Sequence, residues 1–427
     1  MALTTQPYKG TRDFYPEDMR IQKWIFSRMR SVAERYGYLE YDGPMLEPFE
    51  LYAAKTGEEI VNNQLYWLID RGERKLAIRP EMTPTLARMV AGKFHELPRP
   101  IRLYSIPNLW RYERPQRGRL REHWQLNLDV LGGDALLADA EILSFGLDLM
   151  RAFGGEKFVE IKVNNRRLMD HLFKDVLGLG ADAALQVTKA IDARAKMGEE
   201  VYQKWMGDLK VTADQQTKME KFFKSSFDEV AKTYPCRGVE ELSALFKLLS
   251  DSGGRDQIVF DPTVLRGMDY YTGTVFEMYD TSPENRRAMF GGGRYDNLLN
   301  LFGKYELSGV GIGMGDVTLR HFLEVHSLLP KFEPVIDVFV TLPRLELRPK
   351  SEEIVRNLRA AGLHVATPLS VGGFGEQLKQ ASKLGAHYVV LLGDAELAQG
   401  MVAVKDLTTG TQASYKIGEL SSVINRK

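Results

Sequence analysis

The chain has 427 residues, and its 57 Lys plus Arg match its 57 Asp plus Glu, so the formal charge is zero. With 44% hydrophobic and 27% charged residues it reads as an ordinary soluble globular protein of two or three domains. This composition excludes a disordered chain, a collagen-like chain and a small disulfide scaffold. The charge balance argues against holding nucleic acid by bulk positive charge and leaves only a local basic patch for such a partner. One cysteine, Cys236, allows no intrachain disulfide and no Cys-rich metal site, which fits a reducing, cytosolic compartment. The N-terminus has no apolar core of signal-peptide length, and no run of about 18 apolar residues exists to span a membrane.

Ile21, Trp24, Ile25, Met29, Val32 and Tyr36 recur at three- and four-residue spacing, which predicts an amphipathic helix over 17–36. Glu17 and Asp18 sit where the helix dipole favours anions, and Gly37 is a natural stop. The Pro-punctuated segment after it is strand-like. A helix is predicted over 82–96, a strand over 101–112, a hairpin connection at PQRGRLRE, a second strand over 124–131 and a helix over 135–153. Residues 165–250, rich in Lys, Glu, Ala, Met and Leu, read as a helical insertion with helices at 181–197 and 212–232. Strand-like, glycine-rich sequence returns at 257–320, and Glu333-Pro334 marks a linker. Beyond it, VIDVFVTL, LHVAT, HYVVLLG and MVAVKDL read as strands. They alternate with helices at 350–361, capped by Ser351 and stopped by Gly362, and at 374–384, ended by Gly385. This alternation predicts a small open α/β domain.

Five segments carry residues suited to chemistry. Residues 111–121 hold five arginines (111, 114, 117, 119 and 121) against one acid, Glu113. Such a strand–loop–strand either clamps phosphate by planar bidentate bonds or is a solvated basic hairpin. In RPEMTPT (79–85), Glu81 and Thr83 are close enough to hold a substrate ammonium. The same residues also suit a helix start, with Thr83 as cap and Pro84 in the first turn. LRGMDYYTGTVFEMY (265–279) combines a fixed cation with paired tyrosines, or is a core strand with a turn at 272–273. Three glycines in MFGGGRYDNLL (289–299) let the backbone approach a ligand, but they match neither a P-loop nor a dinucleotide pattern. Alternating glycines in 308–323 suggest a strand lying against a ligand or another backbone and running into a helix.

Taken together, GTRDFYP (10–16), RPEMT (79–83), RYERPQRGR (111–119), LRGMDYYTG (265–273) and GGGRYDNL (291–298) resemble the histidyl-tRNA synthetases, in that family's order and spacing. The stretch from Gly375 to Gly410 resembles their anticodon-binding domain. The resemblance implies a class II fold: an α+β catalytic core with an antiparallel sheet (1–165 and 250–328), a helical insertion (166–249) and a C-terminal α/β anticodon-binding domain (333–427). It also implies a cytoplasmic homodimer built on helix 17–36 with Pro44. The implied activity is ATP-dependent activation of L-histidine, with Mg2+ accompanying the ATP, followed by transfer to the 3′ end of histidine tRNA.

Residue by residue, the family match places Arg111 and Arg266 on the carboxylate and α-phosphate, as the catalytic cations. Glu81, Thr83 and Gln125 fall on the α-ammonium. Asp129 and Tyr271 fall on the two edges of the imidazole, and Tyr270 and Tyr295 on the pocket wall. Arg119 reaches ATP or the tRNA acceptor end. His123, beside Trp124, stands where an aromatic stacks on adenine. Arg119 and Arg121 are candidates for reading the extra 5′ nucleotide. One departure affects ATP handling: the third class II motif normally ends Glu-Arg, whereas this chain has Gly315-Asp316 and then Val317, with Arg320 one turn later as a substitute cation. The competing reading is a synthetase-like regulatory subunit of ATP phosphoribosyltransferase, which typically lacks the anticodon-binding domain and several substrate residues.

Overall fold

The structure is a computed structural model and describes residues 3–53, 60–253, 256–265, 270–285, 288–333 and 335–424. It divides into two compact units, Met1–Leu329 and Pro330–Lys427. Of the expectations above, Arg266 and the linker residue Pro334 lie outside the described residues.

The first unit opens with α1 (Pro16–Arg35), which buries Ile25, Met29 and Val32 along one stripe and ends before Gly37 at φ +79°. Then follow β1 (Leu39–Glu40), β2 (Leu46–Pro48), α2 (Phe49–Ala53), β3 (Trp67–Ile69), β4 (Lys75–Ile78), α3 (Thr83–Gly92), β5 (Ile101–Ser105), β6 (Asn108–Trp110), β7 (Glu122–Leu131), α4 (Ala135–Ala152) and β8 (Val159–Asn165). The chain is then helical through α5 (Arg166–Asp170), α6 (Ala181–Met197), α7 (Glu199–Asp208), α8 (Ala213–Lys224), α9 (Phe227–Thr233) and α10 (Arg237–Asp251). It returns to the sheet as β9 (Ile258–Phe260), β10 (Thr274–Asp280), β11 (Ala288–Tyr295) and β12 (Gly309–Gly315), and closes with α11 (Asp316–Val325).

The described residues form a nine-stranded sheet in the order β1-β5-β7-β12-β11-β10-β8-β9, with β6 paired to β7. It is antiparallel except at its two edges, where β1 pairs with β5 and β8 with β9 in parallel. One face packs on α1, α4 and α11: Leu126, Leu128 and Val130 of β7 join Ile142, Phe145, Met29 and Leu319 in one core. Because side chains alternate along a strand, Gln125, Asn127 and Asp129 are left for the opposite face. Val187, Phe222, Leu242 and Phe246 of the helical stretch belong to the same hydrophobic cluster.

Several boundaries differ from the sequence expectation, each for a local reason. The strand expected over 101–112 breaks into β5 and β6 at Ile106-Pro107, where Pro107 has no N–H for the ladder. The helix expected over 212–232 is two helices. Thr212 with Gln215 closes a capping box on α8, and Ser226 with Glu229 closes another on α9, so the chain restarts after Ser225. Thr83 is not a cap: Met82 holds the N-cap position, and Thr83 is the first helical residue of α3.

The second unit contains β13 (Val338–Val340), α12 (Arg348–Ala360), β14 (Val365–Ala366), α13 (Phe374–Lys383), β15 (Tyr388–Leu391), β16 (Met401–Asp406) and β17 (Gln412–Lys416). Its sheet order is β14-β13-β15-β16-β17, parallel up to β15 and antiparallel beyond. Val338, Val340, Ile354, Leu358, Val390 and Val402 make its core. Ser351 does not cap α12 but is buried inside it; Pro349 starts the helix earlier, since its fixed φ suits a first turn.

Candidate active site

The face of the sheet opposite the main core carries the predicted cluster. Its floor is β7 beside β12, with Asp129 paired to Gly311 and Gln125 to Gly315. The glycines of β12 and β11 are what let these side chains lie flat. A Cβ on Gly313 would come within 2.6 Å of Gln125 Nε2, one on Gly309 within 2.5 Å of the Tyr295 ring and one on Gly293 within 2.7 Å of the Tyr271 ring. A Cβ on Gly311 would collide with Asp129 Oδ1. Alternating glycines here make room for named polar side chains.

Asp129 is buried and accepts a 2.7 Å hydrogen bond from the Tyr295 hydroxyl. Burial pushes its carboxyl up to about 7, and the Tyr295 bond offsets only part of that effect. The same pairing holds Tyr295 far from ionisation, with burial again the larger cause. Gln125 Nε2 donates to Asn127 Oδ1 at 2.7 Å, so the amide is fixed. Above this floor Tyr270, Tyr271 and Tyr295 pack with Leu86, Leu103 and Leu131. The Tyr270 hydroxyl donates to Glu81 Oε2 at 3.1 Å, which brings the 79–85 and 265–279 segments together.

The loop holding Glu81 is braced from three sides. Arg111 Nε donates to the Pro80 carbonyl at 2.9 Å, and Trp110 N to Arg79 O at 3.1 Å. The buried Arg79 guanidinium bonds Asp42, Gly43 O and Asn108 O. The sequence reading gives Arg79, Asp42 and Asn127 no role, although Arg79 opens the RPEMT motif and so carries a signal.

The arginine-rich segment is a hairpin turning at Gly118, φ +77°, with Gln116 and Arg119 exchanging backbone bonds. Its arginines do not act as one cluster. Arg119 is ion-paired to the buried Glu113, Arg121 stacks on Tyr112 at 4.1 Å and on Tyr8 at 5.1 Å, and Arg114 and Arg117 are exposed. His123 is held neutral: burial, then the charges of Arg111, Arg12 and Arg119, lower its pKa to about 3. An uncharged ring of this kind stacks readily on a base.

The end of β12 corrects the sequence reading of a substitute cation. Arg320 is committed elsewhere, with Nη2 on Asp18 at 2.7 Å and Nε on Glu324 at 3.0 Å. Asp316 is a buried joint that accepts Arg12 Nη2 at 2.7 Å, Gln22 Nε2 at 3.0 Å and the Trp124 backbone N–H at 2.9 Å. It ties the N-terminal segment, α1 and β7 to α11.

Comparison with known proteins gives a consistent set of likenesses. The family model described as histidyl-tRNA synthetase matches residues 10–315, and that of an anticodon binding domain matches 337–427. The histidine–tRNA ligase of Leptospira biflexa is 44% identical over 98% of this chain and 96% of its own. That of Haloarcula marismortui is 36% identical over 96% and 95%. The crystal structure of histidyl-tRNA synthetase from Nostoc superposes with a TM-score of 0.79 at 26% identity, covering 99% of both chains. A Bacillus halodurans structure titled as an ATP phosphoribosyltransferase regulatory subunit/histidyl-tRNA synthetase, at 23% identity and TM-score 0.75, shares the fold.

Proposed function

The chain belongs to the histidyl-tRNA synthetase family, and on that premise we propose how its residues carry out the work of a histidine–tRNA ligase. It activates L-histidine with ATP to histidyl-adenylate and pyrophosphate, then esterifies the 3′ end of histidine tRNA. The regulatory-subunit reading is not favoured: relatives 44% and 36% identical over nearly the full length are named histidine–tRNA ligases, and the anticodon-binding domain is present.

The observation that carries the assignment of roles is the polar floor under an aromatic wall: Asp129 and Gln125 beneath Tyr270, Tyr271 and Tyr295, next to Glu81. The imidazole, a flat ring with polar edges, would lie against the tyrosines, with Asp129 on one ring nitrogen and Tyr271 on the other. An apolar analogue would offer no donor to the buried Asp129 carboxyl and would be disfavoured. Glu81, Thr83 and Gln125 receive the α-ammonium. The first chemical step brings an anionic carboxylate to an anionic phosphate, so cations there stabilise the transition state. Arg111, already anchored on the Pro80 carbonyl, supplies one from the side of the ammonium site. Arg266 supplies the second. The neutral His123 stacks on adenine, and Arg119 reaches ATP.

Magnesium fits as a passenger of the nucleotide. It would be held by phosphate oxygens and waters, where it would offset phosphate charge. A homodimer is supported by exposed apolar side chains on neighbouring elements: Leu39 on the edge strand β1, Leu46 on β2, and Trp67 and Ile69 on β3. Residues 166–249 act as the insertion domain and 333–427 as the anticodon reader. Among the described residues no helix is long and apolar enough to cross a membrane, and a cytoplasmic setting is the compartment where the tRNA partner resides.

The test is histidine-dependent exchange between pyrophosphate and ATP. Removing a group that stabilises developing charge costs about 10²–10³ in rate, so Arg111→Ala should lose that much exchange while remaining folded. Wild-type rates in that variant would reject the assignment.

A further inference from the structure

Tyr41 leaves β1 in an extended conformation. Its N–H donates to Tyr104 O at 2.9 Å, which continues the parallel pairing of β1 with β5 and sets Tyr41 beside Ser105. Across β5 and β7, Leu103 pairs with Asp129 and Ser105 with Asn127. The Tyr41 ring packs in the same cluster as Tyr270, Tyr295 and Leu103, on the pocket face of the sheet. The carboxylate of Asp129 is close enough to help hold the Tyr41 hydroxyl protonated, second to burial itself.

The hydroxyl oxygens of Tyr41 and Ser105 are both buried; they face each other, and neither has another hydrogen-bond partner among the described residues. Native proteins seldom leave such groups unmet, and where they do the reason is a bound ligand, an ordered water or stored strain. Tyr41 lies near the carboxylate of Asp129, and Ser105 lies beside Tyr41. A hydroxyl whose one protein partner is another hydroxyl keeps hydrogen-bonding capacity for a group that enters.

We infer that Tyr41, with Ser105 behind it, is a specificity-determining part of the amino-acid pocket, its hydroxyl oxygen sharing with Asp129 the one imidazole N–H that Asp129 accepts. This rests on the reading of the chain as a histidine–tRNA ligase. A ring of similar size without nitrogens would offer no donor to the second oxygen of Asp129 or to Tyr41, so the second hydroxyl deepens rejection of apolar side chains.

The experiment compares wild type with Tyr41→Phe and Ser105→Ala in three measurements: the Michaelis constants for histidine and ATP in pyrophosphate exchange, the melting temperature of the free protein, and its rise on adding histidine. Tyr41→Phe should raise the histidine constant about tenfold, as loss of a hydrogen bond to a charged or polar ligand does, and leave the ATP constant unchanged. Removing a hydroxyl so sparsely partnered should leave the free protein as stable as before or more so, while the histidine-induced rise shrinks. Ser105→Ala should act in the same direction with a smaller effect. A wild-type histidine constant and a wild-type thermal rise in Tyr41→Phe would overturn the inference. So would a less stable free protein with unchanged histidine binding, which would mark the hydroxyl as purely structural. If the wild-type protein itself shows neither exchange nor a histidine-induced rise, the ligase reading falls first; exchange in wild type with an indifferent Tyr41→Phe overturns only the role of Tyr41.

Discussion

Asp129→Asn separates what the site costs from what it does. Burial raises the Asp129 carboxyl from 3.8 to about 7. In the unfolded chain the group is ionised above pH 4, so between about 4 and 7 the folded state binds the extra proton and stability falls as pH rises. At one pH unit per about 1.4 kcal/mol, the penalty reaches at most roughly 4 kcal/mol above pH 7. Asparagine carries no such penalty and still accepts the Tyr295 hydrogen bond. The melting temperature of Asp129→Asn should therefore gain on wild type as pH rises from 4 to 7, then hold a constant lead of several degrees. The same change removes a charge-assisted bond to the imidazole, worth about 1.5–3 kcal/mol, so the histidine Michaelis constant should rise about 10- to 100-fold. Thermal melts at stepped pH, paired with exchange assays, test both halves. Parallel melting curves across pH 4–8 would show that Asp129 is not held protonated by burial and would refute the reasoning.

Other substitutions probe the surrounding geometry. Gly311→Ala places a methyl against Asp129 Oδ1, so it should cripple histidine activation far more than Gly315→Ala, whose Cβ meets nothing nearer than 3.7 Å; equal exchange rates in the two variants would contradict this. Arg320→Ala should leave the ATP Michaelis constant unchanged, because that guanidinium is bound to Asp18 and Glu324; a clear rise would restore it as the substitute cation. Arg266→Ala should lose exchange to a degree comparable with Arg111→Ala, measured on protein shown to be folded by its melting curve. A chain ending at residue 333 should keep exchange but charge tRNA poorly, and unchanged charging would show that the second unit is not an anticodon reader.

Much of the site was legible in the sequence because its parts are short and chemically distinctive. Glu81 and the paired tyrosines stand in motifs, Asp129 comes only from the family resemblance, and the glycines of 309–315 point to a close approach. What they approach was not legible. That Gly311 clears Asp129 and Gly313 clears Gln125 depends on the register of β12 against β7, which no local pattern fixes. The Arg12–Asp316 pair joins residues 304 positions apart, so Asp316 looked like a missing cation when it is a buried joint. The break after Ser225 was written in Ser226 and Glu229, but helical periodicity on both sides concealed it. The strand Gln412–Lys416 carries mostly exposed residues and so has no apolar alternation to betray it; pairing with β16 makes it a strand.

The central claim is that the pocket selects histidine for attachment to its tRNA. The most direct measurement is charging of purified histidine tRNA by the full-length wild-type protein with ATP, magnesium and labelled amino acids. The account expects histidine to be esterified to that tRNA and no other amino acid to be used. Histidine binding without any charging of the tRNA would contradict it.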